Sequence, residues 1–93
     1  METNFQISLH IKTPAGFKTY GSFDLGSDKQ QATAIVEQFK GMDNLSEHSI
    51  LYMYFTEVRN GIPFPVRILH CTLDDIAYNT RIITRNVFTN LSL

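Results

Sequence analysis

Asn60-Gly61 is the feature of this sequence that most narrows what it can fold into. An Asn-Gly pair between strand-forming runs selects a two-residue type I′ turn, because both residues tolerate positive φ and the turn's twist matches that of paired strands. Before it lies Ile50-Leu51-Tyr52-Met53-Tyr54-Phe55, aromatic and branched residues that fit a pleated surface. A two-residue loop then sets Phe55 against Val66, Met53 against Ile68 and Leu51 against His70 on one face. On the other it sets Tyr54 against Arg67, Tyr52 against Leu69 and Ile50 against Cys71. Pro63 and Pro65 cannot donate to a ladder, so this last strand is expected to start irregularly or at an edge.

A second hairpin precedes it. Phe5, Ile7, Leu9 and Ile11 alternate with Gln6, Ser8 and His10, the period of a half-buried strand. Pro14 suits the first central position of a type I turn, and Gly16 the left-handed residue after it. Read as a three-residue loop, this turn pairs Ile11 with Thr19, Leu9 with Gly21, Ile7 with Phe23 and Phe5 with Leu25. The large apolar residues then share one face.

Each hairpin leads into a helical pattern. Ser27 or Asp28 is placed to cap a helix whose Ala32, Ile35, Val36 and Phe39 fall on one stripe, with Gly41 at its end and a connecting loop over 42–47. Thr72-Leu73-Asp74-Asp75 resembles a capping box with a shorter acid. Leu73, Ile76, Thr80, Ile83, Val87 and Leu91 trace a stripe beyond it. Helix preference there is weak, which leaves open one helix over 73–92, a short helix at 73–79, or a fifth strand near 82–88. The expected fold is α+β: one domain, 1–93, of two ββα units (ββαββα). Its four-stranded, mainly antiparallel sheet has two helices on one face. The same offset separates Gly16 from Gly61 and Ser27 from Thr72, a repeat of plan with almost no shared identity.

Composition excludes several functions. The net charge of −1 supplies no basic field for nucleic acid or anionic lipid. One cysteine, Cys71, cannot form an intrachain disulfide, and no signal core or membrane-length apolar run is visible, so a cytoplasmic protein is expected. The chain carries no nucleophile elbow, Walker A loop or dinucleotide fingerprint. His10, His48, His70 and Cys71 lack metal-ligand spacing. No catalytic residue, metal or cofactor is expected, and Asp74 and Asp75 read as first-turn acids complementing the helix dipole.

The phrases Lys12-Thr13-Pro14-Ala15-Gly16-Phe17, Arg59-Asn60-Gly61-Ile62-Pro63, Cys71-Thr72-Leu73 and Arg81-Ile82-Ile83-Thr84 resemble a group of small Bacteroidetes proteins of unknown function. The resemblance implies a bacterial cytoplasmic protein and no particular activity.

What remains is a surface. With both helices on the Phe5/Ile7/Met53 side, the hairpin registers leave His10, Tyr20, Tyr52, Tyr54, Arg67 and Leu69 on the open face, with Lys12, Lys18, Ile50 and Cys71 beside them. Tyrosine and arginine are residues that anchor interfaces. The sequence therefore points to a non-enzymatic interaction module, a homodimer through this face or a binder of another protein. The alternative is a small-ligand or single-stranded nucleic-acid binder stacking rings on Tyr20, Tyr52 and Tyr54, which the near-neutral charge disfavours.

Overall fold

In the computed structural model, which describes residues 2–43 and 49–90, the chain runs β1 (Thr3–Thr13), β2 (Gly16–Gly26), α1 (Lys29–Val36), β3 (Leu51–Arg59), β4 (Ile62–Cys71) and α2 (Leu73–Asn90). The four strands form one open antiparallel sheet in the order β2-β1-β3-β4, so the N-terminal strands of the two hairpins meet at its centre. The fold is α+β.

Two-residue turns close both hairpins. Asn60 and Gly61 adopt φ 52° and 82°, and Arg59 pairs with Ile62 as the Asn-Gly turn requires. The first turn is tighter than its sequence suggests: Thr13 pairs with Gly16 across Pro14-Ala15, and the Thr13 hydroxyl donates to the Gly16 carbonyl at 2.7 Å. Leu9 still faces Gly21 and Ile7 faces Phe23, as the alternation predicts. The extra residue assigned to the loop lies instead in β2, where Tyr20 bulges between Thr19 and Gly21. A second bulge at Leu25 sets Phe5 against Gly26, and Ile11 meets Lys18.

The larger correction is in β4. Pairing follows the Asn-Gly register only as far as Thr56 opposite Pro65. Val66 then bulges, and Phe55 meets Arg67, Tyr54 meets Ile68, Met53 meets Leu69, Tyr52 meets His70 and Leu51 meets Cys71. One extra residue exchanges the faces of everything after it. Pro63 and Pro65 stay in register opposite Val58 and Thr56, as an edge strand allows, and the bulge follows directly after Pro65.

The core gathers Phe5 and Ile7 from β1, Leu25 from β2, Met53 and Phe55 from β3, Ala32, Ile35 and Val36 from α1, and Ile82 and Ile83 from α2. Asp28 caps α1, its carboxylate accepting from the Gln30 and Gln31 amides at 3.0 and 3.2 Å. The helix ends at Val36 with Glu37 as C-cap, earlier than the Phe39 stripe implies, so Gly41 is not its terminator. The capping box at α2 forms as the sequence indicates: Thr72 Oγ1 accepts from the Asp75 amide at 3.1 Å, and Asp75 accepts from the Thr72 amide at 3.0 Å. A single helix runs on from it to Asn90, and among the described residues no fifth strand joins the sheet. Leu73, expected on its apolar stripe, is 76% exposed.

Gly41 has a different task. Lys40 reaches Asn79 of α2, a fully buried side chain. Asn79 Oδ1 accepts from the Lys40 amide at 2.7 Å, and Nδ2 donates to the Lys40 carbonyl at 2.8 Å. Two residues on, Met42 exchanges both backbone hydrogen bonds with His70 on the outer edge of β4. Gly41 lies between these anchors at φ 153°, and a Cβ there would sit 3.2 Å from the Cys71 sulfur and from the Leu69 Cβ. The expected loop therefore continues the sheet by one bridge before leaving the described residues at 44–48.

Candidate interaction face

Side chains of β1 and β3 alternate across the sheet. Phe5, Ile7, Met53 and Phe55 enter the core, so Ser8, His10, Lys12, Ile50, Tyr52 and Tyr54 emerge on the opposite face. Cross-strand pairing arranges them in three successive rows. Phe17 stands beside Lys12, whose amide donates to the Ile50 carbonyl at 2.8 Å. The next row is Thr19, His10, Tyr52 and His70; the next is Ser22, Ser8, Tyr54 and Ile68.

Of the six residues proposed from sequence, the structure brings His10, Tyr52 and Tyr54 together here. His10 packs on Tyr54 with ring centroids 4.3 Å apart. Arg67 and Leu69 do not join them. The Val66 bulge turns both to the core side, where Leu69 is buried and Arg67 binds Asp43 through two hydrogen bonds of 2.9 and 3.2 Å. That guanidinium holds the Asp43 carboxyl below its usual range, and the carboxylate raises Arg67 in return. Tyr20 is exposed at its own bulge rather than in register with the rows.

Tyr52 is the surprise of this face, being 4% exposed. The Phe17 ring meets it edge-on at 5.2 Å, and its hydroxyl donates to the Ser49 carbonyl at 3.0 Å. It therefore offers no free ring to stack on a ligand. Two residues that sequence reasoning undervalues take over the exposed apolar role: Phe17, 53% exposed, and Ile50, 57%. A three-residue reading of the turn hides Phe17; with Thr13 paired to Gly16 it falls opposite Lys12, on this face.

Polar contacts bind the rows together. His10 Nε2 lies 2.9 Å from Ser8 Oγ and Nδ1 lies 3.0 Å from Thr19 Oγ1, and burial holds the imidazole below the ordinary histidine range. His70 Nδ1 is 2.8 Å from Ser49 Oγ. Cys71 lies on the other side, beside Asn79, where burial pushes its thiol up to about 11 with the Asp75 carboxylate adding to the effect. A thiol so raised is a poor nucleophile near neutral pH. Among the described residues no group of three His, Cys, Asp or Glu side chains could hold a metal ion, and no helix is long and apolar enough to cross a membrane.

Comparison with known proteins adds no relative: no protein family, no curated protein and no solved structure matches this chain.

Proposed function

We propose that this chain is a small non-enzymatic interaction module of the bacterial cytoplasm that forms a homodimer through the sheet face opposite the core. The fold is then two ββα units whose helices both lie on the core side, which leaves the other face free for a partner. The observation that carries this reading is the run of apolar side chains across three adjacent rows, Phe17 and Ile50 exposed beside Tyr52, Tyr54 and Ile68. Exposed apolar groups that adjoin one another favour burial in a complex, whereas scattered ones do not. A second copy is favoured as the occupant because Lys12 is the lone charged residue in these rows and the whole chain carries a net charge of −1. Little repulsion opposes two such faces meeting.

The ring-stacking alternative draws no support from the geometry, since Tyr52 is covered and Tyr20 stands apart from Tyr54. Sedimentation velocity over a micromolar concentration series tests the homodimer. The expected outcome is a dimer for the wild type and a monomer for Phe17→Glu, a change at a half-exposed residue whose ring also meets Tyr52. A wild type that sediments as a monomer throughout would remove the reading.

A further inference from the structure

His10 stands inside the apolar patch of the open face rather than at its rim. Phe17 and Ile50 lie in the row before it, Tyr54 and Ile68 in the row after it, and Tyr52 beside it on β3. A single copy accommodates either charge state of the ring. Nε2 lies 2.9 Å from Ser8 Oγ and Nδ1 lies 3.0 Å from Thr19 Oγ1. A hydroxyl can donate to a bare ring nitrogen or accept from a protonated one. The Tyr54 ring, with its centroid 4.3 Å away, also tolerates a cation. These contacts lie within one copy and are the same whether or not a second copy is present. What a second copy removes is the water that still reaches this half-buried imidazole.

Nothing around the ring offsets a charge in that drier place. On β1, Lys12 is two residues away on the same side, a like charge. On β2, Phe17 and Thr19 are uncharged, Lys18 pairs with Ile11 of the opposite side, and Asp24 stands two rows away opposite Gln6. On β3, Tyr52 and Tyr54 are neutral near physiological pH. His70 of β4 lies beyond Tyr52. A second copy brings the same set. With His10 neutral, each of two meeting faces carries one cation, Lys12; with His10 protonated, each carries two. Burying the added charge without a partner is unfavourable, and its repulsion acts across the interface as well as within one copy.

We propose that protonation of His10 opposes the meeting of the two faces in the homodimer inferred above, a reading on which this step rests, so that the copies separate as pH falls while each stays folded. The sign follows from burial. Loss of water already holds the imidazole below the ordinary histidine range in one copy, and covering the face adds to that effect. A group lowered on association contributes dimer stability that is complete above its value in the free chain. That contribution is lost as pH falls through its value in the dimer. Each dimer holds two such rings, so their effects multiply.

The test measures the dissociation constant by sedimentation velocity at about pH 7.5 and about pH 5.5, a window in which histidine changes charge. For the wild type it is expected to rise about tenfold at the lower pH, where the species formed is a folded monomer. His10→Gln is judged by the ratio of its own two constants, and that ratio is expected to stay within about twofold of one. A wild-type dimer equally tight at both values overturns the pH dependence and leaves the homodimer standing. A wild-type monomer at both removes the two together. His10→Gln losing as much as the wild type overturns the role of His10. Should that variant not dimerise, the His10 imidazole shifts of the wild type decide. Their midpoint is expected to fall as protein concentration is raised through the dissociation constant, because proton binding and association are reciprocally linked. A midpoint independent of concentration overturns the proposal.

Discussion

Asn79 shows how one side chain can substitute for a strand. Its amide presents an acceptor and a donor to the two backbone groups of Lys40, which fixes the orientation of the amide and seats the segment before Met42 against α2. The same Nδ2 lies 3.4 Å from the Met53 sulfur, so no part of the group reaches water. Asn79→Ala removes both of its hydrogen bonds to Lys40 and empties a fully buried position, and the expected loss is about 2 kcal/mol of unfolding free energy. Urea denaturation measures it; a loss below about 1 kcal/mol would show that the clamp is not needed. Asn79→Asp is expected to be no better than the alanine, because its second oxygen would face the Lys40 carbonyl. The apolar stripe alone passes over this residue. Its only signal in the sequence is a polar residue one position before the Thr80 of that stripe.

At the level of elements, the Asn-Gly turn and the helix N-termini were legible, whereas the length of the first turn, the end of α1 and the bulges were not. Asn60-Gly61, the alternation of 5–11, the capping box at Thr72 and the stripe of α1 each rest on a local rule that tertiary packing leaves alone. A bulge has no such local rule. Tyr20 and Val66 are ordinary strand residues, and each is displaced because its C-terminal neighbours pack better on the other side. At Val66 the gain is specific: Leu69 becomes 2% exposed and Cys71 packs beside Asn79, while His70 takes the place opposite Tyr52. Half of the proposed face, His10, Tyr52 and Tyr54, is therefore legible from alternation. The β4 members, Arg67 and Leu69, are misplaced by one residue, which in a strand is a whole face. Deleting Val66 tests this element directly. It joins Pro65 to Arg67 and restores an uninterrupted register while leaving Phe55 opposite Arg67, Met53 opposite Leu69 and Tyr52 opposite His70. The variant is expected to keep cooperative unfolding and a dispersed amide spectrum. A deletion variant that loses native-like dispersion would show that the bulge itself, and not only the faces it sets, is needed.

The whole molecule is a sheet of two unlike faces. One is filled by Phe5, Ile7, Met53 and Phe55 with residues of both helices. The other is closed at its centre by Tyr52 and its histidines but bears Phe17 and Ile50 exposed at one end. The outer edges differ as well. At β4, Pro63 and Pro65 offer no N–H and Met42 covers His70. At β2, two bulges break the line of the strand. Both are recognised ways of discouraging edge-to-edge pairing, which leaves the face as the place for the proposed association. The most direct test of that claim is a concentration series of amide and aromatic NMR shifts on the wild-type protein. The account predicts shifts confined to Phe17, Ile50, Tyr54, Ile68 and their row neighbours, growing with concentration and absent in Phe17→Glu. Shifts that map to the outer surfaces of α1 and α2, or none at any concentration, would contradict it.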